Sequence, residues 1–440
     1  MEAAPTAIAI LVITLYLVMS QSQKLGIGWS ASVGAILALA TGIVPWQDIL
    51  EVWGIVANSS LTLVAVVIIA LVMDEAGFFR YLALYLTRLG IGLGRVFFPL
   101  LMLMGAVLTA VFSNYGTTLI WTPILLEILL ALSFSPTSIL AFLISTSFIV
   151  DITSLPLPIS NLVNLLTVDS FKISFLRYLL VMVPVNGIAI ASSLTVAWFY
   201  FNRYIPRTYS LAHLKSSQPT TLSDPLVCRW SFPILGLLLI SYLFAKPLGI
   251  PLSAIAALGA LAMLGLAGRG FQNRPTIISV SKVLQQAPWQ IILFSLSMQI
   301  VVIGLRNTGL TPLLSQVLSQ FSLWGLTVAT TGTGFLAMLL SSVLNNVPTA
   351  LIDALAIQNA TSIDPTTREA MVYASVIGCD IGAKVTPIGS ISTLLWLEIL
   401  ARKKLSLPRG QYIRIHLALT IPVLFLTLLG LAMWLPWLIA

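Results

Sequence analysis

Charge is what this sequence lacks. Of 440 residues, 22 are Lys or Arg and 14 are Asp or Glu, which makes 8% charged, where a soluble domain carries about 25%. So few charges cannot cover a protein with a water-soluble surface. With 58% hydrophobic residues and a mean hydropathy of +1.02, the class is an integral membrane protein solvated by lipid tails. Soluble hydrolases, DNA binders and secreted disulfide scaffolds are excluded. Cysteine is equally scarce: Cys228 and Cys379 are too few for a disulfide framework, a four-thiolate zinc site or an iron–sulfur cluster. Both read as small fillers, Cys228 in a central linker and Cys379 beside Asp380. The two histidines, His213 and His416, are expected in or beside cytoplasmic loops, away from either thiol, so no metal or other cofactor is expected. The net charge of +8 would suggest nucleic acid for a soluble chain. Here the basic residues cluster between apolar runs as membrane anchors do, and a nucleic-acid partner is not expected.

What is present is apolar length. Unpaired backbone polar groups cost several kcal/mol in hydrocarbon, so each long apolar run must be a helix and the fold is all-α. Uninterrupted runs of spanning length lie near residues 5–22, 28–45, 57–73, 177–201, 230–246, 250–267, 289–305 and 415–438. The first follows Met1-Glu2 without a basic segment and reads as a retained span. Two further runs, 96–132 and 322–357, carry polar tips at Ser113-Asn114-Tyr115-Gly116 and Asn345-Asn346-Val347-Pro348, as re-entrant hairpins would. The runs 138–167 and 368–400 are broken midway, at Asp151 to Asn161 and at Cys379 to Ser390. The expectation is ten spans and two hairpins. Residues 78–89 mix aromatics and Arg at helical spacing, as in a helix lying at the interface.

Lys and Arg set the orientation. One side collects 16 of them: Lys24, Arg80, Arg88, Arg95, Arg203, Arg207, Lys215, Arg229, Arg269, Arg274, Lys282, Arg402, Lys403, Lys404, Arg409 and Arg414. The other loops hold Lys172, Arg177, Lys246, Arg306 and Arg368. The first side is therefore cytoplasmic, with both termini outside.

The interruptions repeat. Asp151-Ile152 and Pro158-Ile159 match Asp380-Ile381 and Pro387-Ile388 at an offset of 229; Asn114, Thr117, Leu119 and Ile120 match Asn346, Thr349, Leu351 and Ile352 at 232. The chain therefore divides into an N-terminal repeat (1–202, spans 1–5 with the hairpin 96–132), a cytoplasmic linker (203–229) and a C-terminal repeat (230–440, spans 6–10 with the hairpin 322–357). Five spans per half is an odd number, so the halves are expected to be inverted in the membrane. Inverted repeats with discontinuous helices meeting at the midplane are the pattern of secondary transporters.

Non-helical backbone at membrane depth must be buried in protein or line a wet cavity, so each tip and break marks a polar chamber. Pro156, Pro158, Pro348 and Pro387 supply the breaks, while Gly116, Gly382 and Gly389 permit close approach. The candidate substrate-binding residues are Ser113, Asn114, Gly116, Thr117, Ser160, Asn161, Asn345, Asn346, Thr349, Thr386 and Ser390, nearly all neutral hydrogen-bonding groups. Thr153 and Ser154 stand among them. Intramembrane ionisable residues are functional candidates by default, and here they are Glu127, Asp151, Asp353, Asp380 and Lys384. Asp151, Asp380 and Lys384 are expected to couple transport to protons, since one Lys against two Asp suits a site holding one exchangeable proton or cation. A static Lys384–Asp ion pair is the competing reading. Glu127, about three turns beyond its tip, reads as a solvated rim residue.

Several runs are specific: Leu25-Gly26-Ile27-Gly28-Trp29-Ser30-Ala31, Asp74-Glu75-x-Gly77-Phe78-Phe79, Ser160-Asn161-Leu162-Val163-Asn164, Ala287-Pro288-Trp289-Gln290-Ile291, Gly304-Leu305-Arg306-Asn307, Asn345-Asn346-x-Pro348-Thr349, Ile377-Gly378-Cys379-Asp380 and Lys384-x-Thr386-Pro387-Ile388-Gly389-Ser390. With these the chain resembles, end to end, the ArsB arsenite-efflux permease family of the ion-transporter superfamily. The resemblance implies export of the trivalent hydroxides As(OH)3 and Sb(OH)3 from the cytoplasm, driven by proton entry, by a multi-pass protein of a prokaryotic cell membrane. It also implies a soluble ArsA-type ATPase on the cytoplasmic side in some members, and a scaffold beside a moving transport domain. Family members usually carry Asn-Asp-Gly at the first tip, where this chain has Asn114-Tyr115-Gly116; that departure moves the proton-carrier expectation to Asp151, Asp380 and Lys384. The residue chemistry agrees with this cargo. Two separated cysteines cannot trap trivalent arsenic as three thiolates would, whereas its hydroxyls suit a chamber of Asn, Ser and Thr from which release is easy. The alternatives on the same fold are a sodium-coupled carrier or a carboxylate carrier; a channel is disfavoured by the duplicated breaks. An intramembrane enzyme would need a nucleophile–base pair or a clustered ligand set, and neither is found.

Overall fold

A computed structural model describes residues 3–20, 26–211, 222–269, 278–305, 310–360, 363–403, 405 and 407–439. Lys24, Lys215, Arg274, Arg306, Lys404 and His213, together with residues 212–221 of the expected linker, lie outside the described residues. Nineteen α-helices are described: α1 (Ala3–Ser20), α2 (Ile27–Ala40), α3 (Asp48–Glu75), α4 (Phe78–Leu89), α5 (Gly94–Phe112), α6 (Asn114–Ala131), α7 (Pro136–Ile152), α8 (Leu162–Phe171), α9 (Phe175–Phe201), α10 (Pro225–Ala245), α11 (Leu252–Ala267), α12 (Val280–Gln286), α13 (Gln290–Leu305), α14 (Leu310–Leu323), α15 (Leu326–Leu344), α16 (Asn346–Asn359), α17 (Pro365–Gly382), α18 (Ile391–Arg402) and α19 (Arg409–Ile439). Helices carry this chain because hydrocarbon leaves the backbone no other way to pair its polar groups. Seven of the described helices are long and apolar enough to cross a membrane, and five shorter ones are apolar. The chain is thus a polytopic helical membrane protein.

Both interrupted patterns fold as expected. The first hairpin turns between α5 and α6, the second between α15 and α16. The two breaks separate α7 from α8 and α17 from α18, with 3-10 turns at Pro158–Ser160 and Ala383–Val385. Five of the ten expected spans are among the seven; α1, α2 and α11 are apolar but shorter, the two broken helices do not qualify, and the remaining two of the seven, α5 and α15, are hairpin arms. The segment 78–89 folds as the amphipathic helix α4, with Phe79 and Leu86 buried while Tyr81 and Tyr85 stay exposed. An additional helix, α14, occupies the equivalent position before the second hairpin and was not anticipated, because its apolar face is interleaved with Ser, Gln and Thr. Two placements correct the sequence reading. Cys228 sits buried inside α10 rather than in a linker, with its Sγ donating to the Ala76 carbonyl at 3.7 Å. His416 is fully buried within α19, stacked on Tyr412 at 3.8 Å between ring centroids, instead of beside a loop. In both cases an apolar helix runs further into the charged flank than the hydropathy drop suggests.

The helices pack as two bundles. Helices α1, α2, α3, α10, α11 and α13 form one; the hairpins and broken helices pack with α9 and α19 in the other. The closest crossing is α15 on α17, where a Cβ at Gly378 would collide with the backbone carbonyl of Gly334. Overpacking such a site typically costs about 1–3 kcal/mol. Gly378→Ala is therefore expected to lower the unfolding temperature of the detergent-solubilised protein, and an unchanged melting curve would show that this crossing can relax.

Side-chain bridges sort the loops onto two ends. At one end lie Lys282–Glu75 (2.5 Å), Arg269–Asp224 (2.7 Å) and Arg80–Glu127 (2.6 Å), all in the Lys/Arg-rich group. Glu127 is 41% exposed there, the rim position expected of it. At the other end Arg177 grips Glu369 through two bonds of 2.8 and 3.0 Å. Lys246 Nζ donates to the Lys172 carbonyl (2.7 Å) and Gln358 Nε2 to that of Ser170 (3.1 Å).

Candidate functional site

The hairpin tips share one unusual backbone state. Ser113 has φ 64 and ψ 158, and Asn345 has φ 79 and ψ 153, a region that is nearly glycine-only and costs about 1–3 kcal/mol per residue. Such strain lets each chain reverse within one residue and start a new helix at once. Ser113 Oγ caps the Gly116 N–H (3.2 Å), and Asn345 Oδ1 caps that of Val347 (3.4 Å).

The outcome is a convergence of helix starts. A cavity of about 30 Å³ is lined by Asn114 and Tyr115 opening α6, Asn161 and Leu162 opening α8, Asn346 and Val347 opening α16, and Ser390, Ile391 and Ser392 opening α18, with Leu63 of α3 and Ile291 of α13 completing the wall. Helix N-termini carry about half a positive charge each; the leading N–H groups of α6, α8 and α16 are partly or wholly taken up by Ser113, Asn114, Asn161, Asn345 and the Gly389 carbonyl, whereas α18 starts without a side-chain cap. Four of them around one small space make it attractive to oxygen lone pairs and hostile to a metal cation. About 10–15 Å³ holds one water, so the space suits only a very small solute. The side chains of Asn346 and Ser390 and the Nδ2 of Asn114 make no hydrogen bond to the described residues, whereas Asn114 Oδ1 accepts from Tyr115 N at 2.8 Å.

Four sequence candidates thus meet at the chamber: Asn114, Asn161, Asn346 and Ser390. The others hold it open. Ser160 Oγ donates to the Ala110 carbonyl (2.7 Å) at the end of α5, and Thr386 Oγ1 donates to the Ser342 carbonyl (2.5 Å) at the end of α15, so each break satisfies the last turn of its own hairpin. Asn345 Nδ2 donates to the Ile388 carbonyl (3.0 Å), and Asn346 N to that of Gly389 (2.8 Å). Thr349 bonds back to the Asn345 carbonyl (2.8 Å). Gly116 faces Val67 and Ala70 of α3, and Thr117 is buried with its hydroxyl unpartnered. Sequence spacing cannot separate these roles, because cap and ligand draw on the same residue types.

The ionisable residues lie behind the chamber, near the C-terminal ends of α7 and α17. Lys384, 1% exposed, places Nζ 2.7 Å from Asp151 Oδ2 and donates to Ser147 Oγ at 2.9 Å. Thr393 Oγ1 lies 3.5 Å from the same carboxylate oxygen, and the Trp396 ring centroid 6.0 Å from Nζ. Asp380 does not join this pair, although Lys384 follows it by four residues. Helix α17 ends at Gly382 and Lys384 belongs to the 3-10 turn, so the helical i to i+4 register is broken between them. Asp380 instead accepts from Asn161 Nδ2 at 2.7 Å and lies 3.5 Å from Ser154 Oγ, which itself donates to the Asp151 carbonyl at 2.7 Å. Asn161 therefore touches both the chamber and a buried carboxylate. Asp353, also buried, accepts from Ser375 Oγ (2.8 Å) and Cys379 Sγ (3.9 Å). Asn164, the end of the Ser160–Asn164 run, holds the Ser154 carbonyl through its Nδ2 at 2.7 Å, and Ser147 and Thr393 join the site without having been singled out from the sequence. Ser147 was the legible one, standing one turn before Asp151. Among the described residues no group of three metal-ligating side chains occurs.

A second, larger cavity of about 1300 Å³ leads from the chamber to the surface. Tyr115, Ile291 and Ile391 line both spaces and form the partition between them; Gln285, Gln286 and Arg409 mark the mouth. That mouth lies on the Lys/Arg-rich end.

The family model described as "ArsB: Arsenical pump membrane protein" matches residues 6–435. An arsenical pump membrane protein of Escherichia coli is 48% identical over 425 residues, covering 97% of each chain. One of Escherichia coli strain K12 is 49% identical, and one of Yersinia enterocolitica 47%, over the same length and with the same coverage.

Proposed function

Because the chain belongs to the arsenical pump membrane protein family, we propose that it exports arsenite, As(OH)3, and antimonite, Sb(OH)3, from the bacterial cytoplasm in exchange for protons. The observation that carries this reading is the ring of four helix N-termini and neutral amide and hydroxyl groups around a space for a very small solute. The hydroxyl oxygens of As(OH)3 accept from the start of α18, which has no side-chain cap, and from the amides of Asn114 and Asn346, while its protons meet Ser390 and the amide oxygen of Asn346. Such contacts are individually weak, about 1 kcal/mol net each, which a carrier needs for release. A sodium-coupled or carboxylate carrier is less well served: N-termini repel a sodium ion, and the chamber walls hold no fixed cation.

Coupling rests on Asp380, with Asp151 and Lys384. Asp380 is buried with no cation in contact among the described residues, the condition of a carboxylate that takes up and gives back a proton. When Asp380 is ionised, Asn161 donates to it in a charge-assisted bond; protonation weakens that bond, and because Asn161 also lines the chamber, the change is passed to the substrate space. The Lys384–Asp151 pair cancels the remaining charge at the seam of the two halves. Those halves, 1–202 and 230–440, are taken as inverted repeats. In support, equivalent elements recur in the same order, and the hairpins open at opposite ends, Glu127 of α6 beside Arg80 and Gln358 of α16 beside Ser170. The vestibule then opens to the cytoplasm, and the Arg177–Glu369 bridge closes the outer side. No contact bears on an ArsA-type ATPase, for which the cytoplasmic face is the available partner surface.

The decisive experiment is arsenite accumulation by everted membrane vesicles with and without an acid-inside pH gradient. Accumulation that follows the gradient is expected; uptake indifferent to it, or dependent on sodium, would refute the proton exchange. Within the site, Asn346→Ala is expected to weaken half-saturation for arsenite about tenfold, the loss of one buried hydrogen bond. An unaltered value would remove Asn346 from the substrate shell.

A further inference from the structure

The entrance and the binding space differ greatly in size. The vestibule measures about 1300 Å³ and the chamber about 30 Å³. A solute several times larger than As(OH)3 therefore fits the vestibule, and what stops it is the partition of Tyr115, Ile291 and Ile391, which line both spaces. Tyr115 and Ile391 come from α6 and α18 of the hairpin bundle, whereas Ile291 comes from α13 of the other. The passage between the spaces thus runs along the seam of the two bundles. Tyr115 has the largest side chain of the three and alone stands at a hairpin tip. Two contacts fix its place. Its backbone N–H donates to Asn114 Oδ1 at 2.8 Å, and the next residue, Gly116, rests on α3, where a Cβ would stand 3.5 Å from Val67 and 3.8 Å from Ala70. The Tyr115 ring packs against the buried core, while Asn114 beside it opens into the chamber. A tip backed by another helix has little room to withdraw from a bulky ligand, and a tyrosine ring has only two side-chain torsions with which to yield.

We propose that the Tyr115 ring is the size filter of this carrier, admitting the trihydroxides of arsenic and antimony to the chamber and turning away arsenicals in which an aryl group replaces one hydroxyl. The inference rests on the arsenite-export reading above. Discrimination of this kind comes from a clash built against the wrong solute, not from added contacts to the right one. One methylene too many in a fitted pocket already separates two solutes by about 10–200-fold, and a phenyl ring is far larger. Phenylarsonous acid keeps two hydroxyls for Asn114, Asn346 and Ser390, and its ring is close in shape to the one that Tyr115 presents. Truncating Tyr115 therefore leaves, at the edge of the chamber, a hole that this ring can fill.

The test uses the full chain, purified and reconstituted into proteoliposomes loaded with unlabelled arsenite. Uptake of labelled arsenite by exchange at equal pH is read, which needs no proton gradient. Phenylarsonous acid is the probe and competes with the label; unlabelled arsenite is the reference competitor. Cys228 and Cys379 are both free and buried, so the protein offers the probe no dithiol. In Tyr115→Ala the half-inhibiting concentration of the probe, divided by that of arsenite, is expected to fall about tenfold or more. Tyr115→Phe keeps the ring and is expected to keep the parent's ratio. Tyr115→Leu, smaller but still apolar, is expected to fall between them and carries the test if the alanine variant does not fold. A parent-like ratio in the alanine and leucine variants overturns the filter, and so does a phenylalanine variant that behaves like alanine, since the hydroxyl and not the ring would then decide. If the unsubstituted protein exchanges no arsenite, it is the export reading that fails, and that result comes before any variant is compared.

Discussion

Lys384→Met is expected to destabilise the protein by about 3–5 kcal/mol, the cost of stranding one partner of a buried ion pair. In the parent, Asp151 Oδ2 has Lys384 Nζ at 2.7 Å, and Oδ1 has no partner. Without the ammonium only Thr393, at 3.5 Å, faces that carboxylate, far too little to replace the water it gave up. Removing both charges behaves differently, since apolar replacement of a buried pair is often neutral or stabilising by about 1–4 kcal/mol. The pair Lys384→Met with Asp151→Leu should therefore recover the melting temperature lost by Lys384→Met alone. It should not recover gradient-driven arsenite accumulation, because the charge that balances the seam during transport is gone. A double variant that melts as low as the single one would mean the damage is steric. One that transports like the parent would leave the pair purely structural.

Asp380→Asn is expected to reduce gradient-driven accumulation to background while arsenite exchange at equal pH persists. The substitution is nearly isosteric, and its amide oxygen still accepts from Asn161 Nδ2, the contact that measures 2.7 Å in the parent. What it removes is the capacity to bind and lose a proton. Thermal unfolding in detergent should match the parent, because a buried ionised group is exchanged for a neutral one that keeps its principal hydrogen bond. Gradient-driven accumulation at the parent level would dismiss Asp380 as proton carrier. Loss of exchange together with accumulation would place Asp380 in substrate binding.

Much of this molecule follows from its composition and spacing. Hydrocarbon solvent forces every long apolar run into a helix, and Asn, Gly and Pro clusters inside such runs can only be tips or breaks. Hence the turns at Ser113-Asn114 and Asn345-Asn346, the breaks after Asp151 and Asp380, and the amphipathic segment 78–89 were all legible. The matched spacing of these interruptions, at offsets of 229 and 232, was legible for the same reason. Family membership also lay in the local runs around Asn346, Asp380 and Lys384, which the comparison over residues 6–435 supports.

Other features depended on how distant segments meet. Ser160 and Asn161 are adjacent, yet one caps a hairpin carbonyl and the other lines the chamber. Asp380 and Lys384 are four apart, yet the lysine turns to Asp151, more than 200 positions away, because its helix stops two residues earlier. His416 and Cys228, expected near loops, are packed inside helices. Helix formation is decided within a few residues by hydrogen bonding and side-chain type, so the sequence alone determines it. The gathering of four helix N-termini around one small space is set by packing between segments far apart in the chain, and no local pattern encodes that distance.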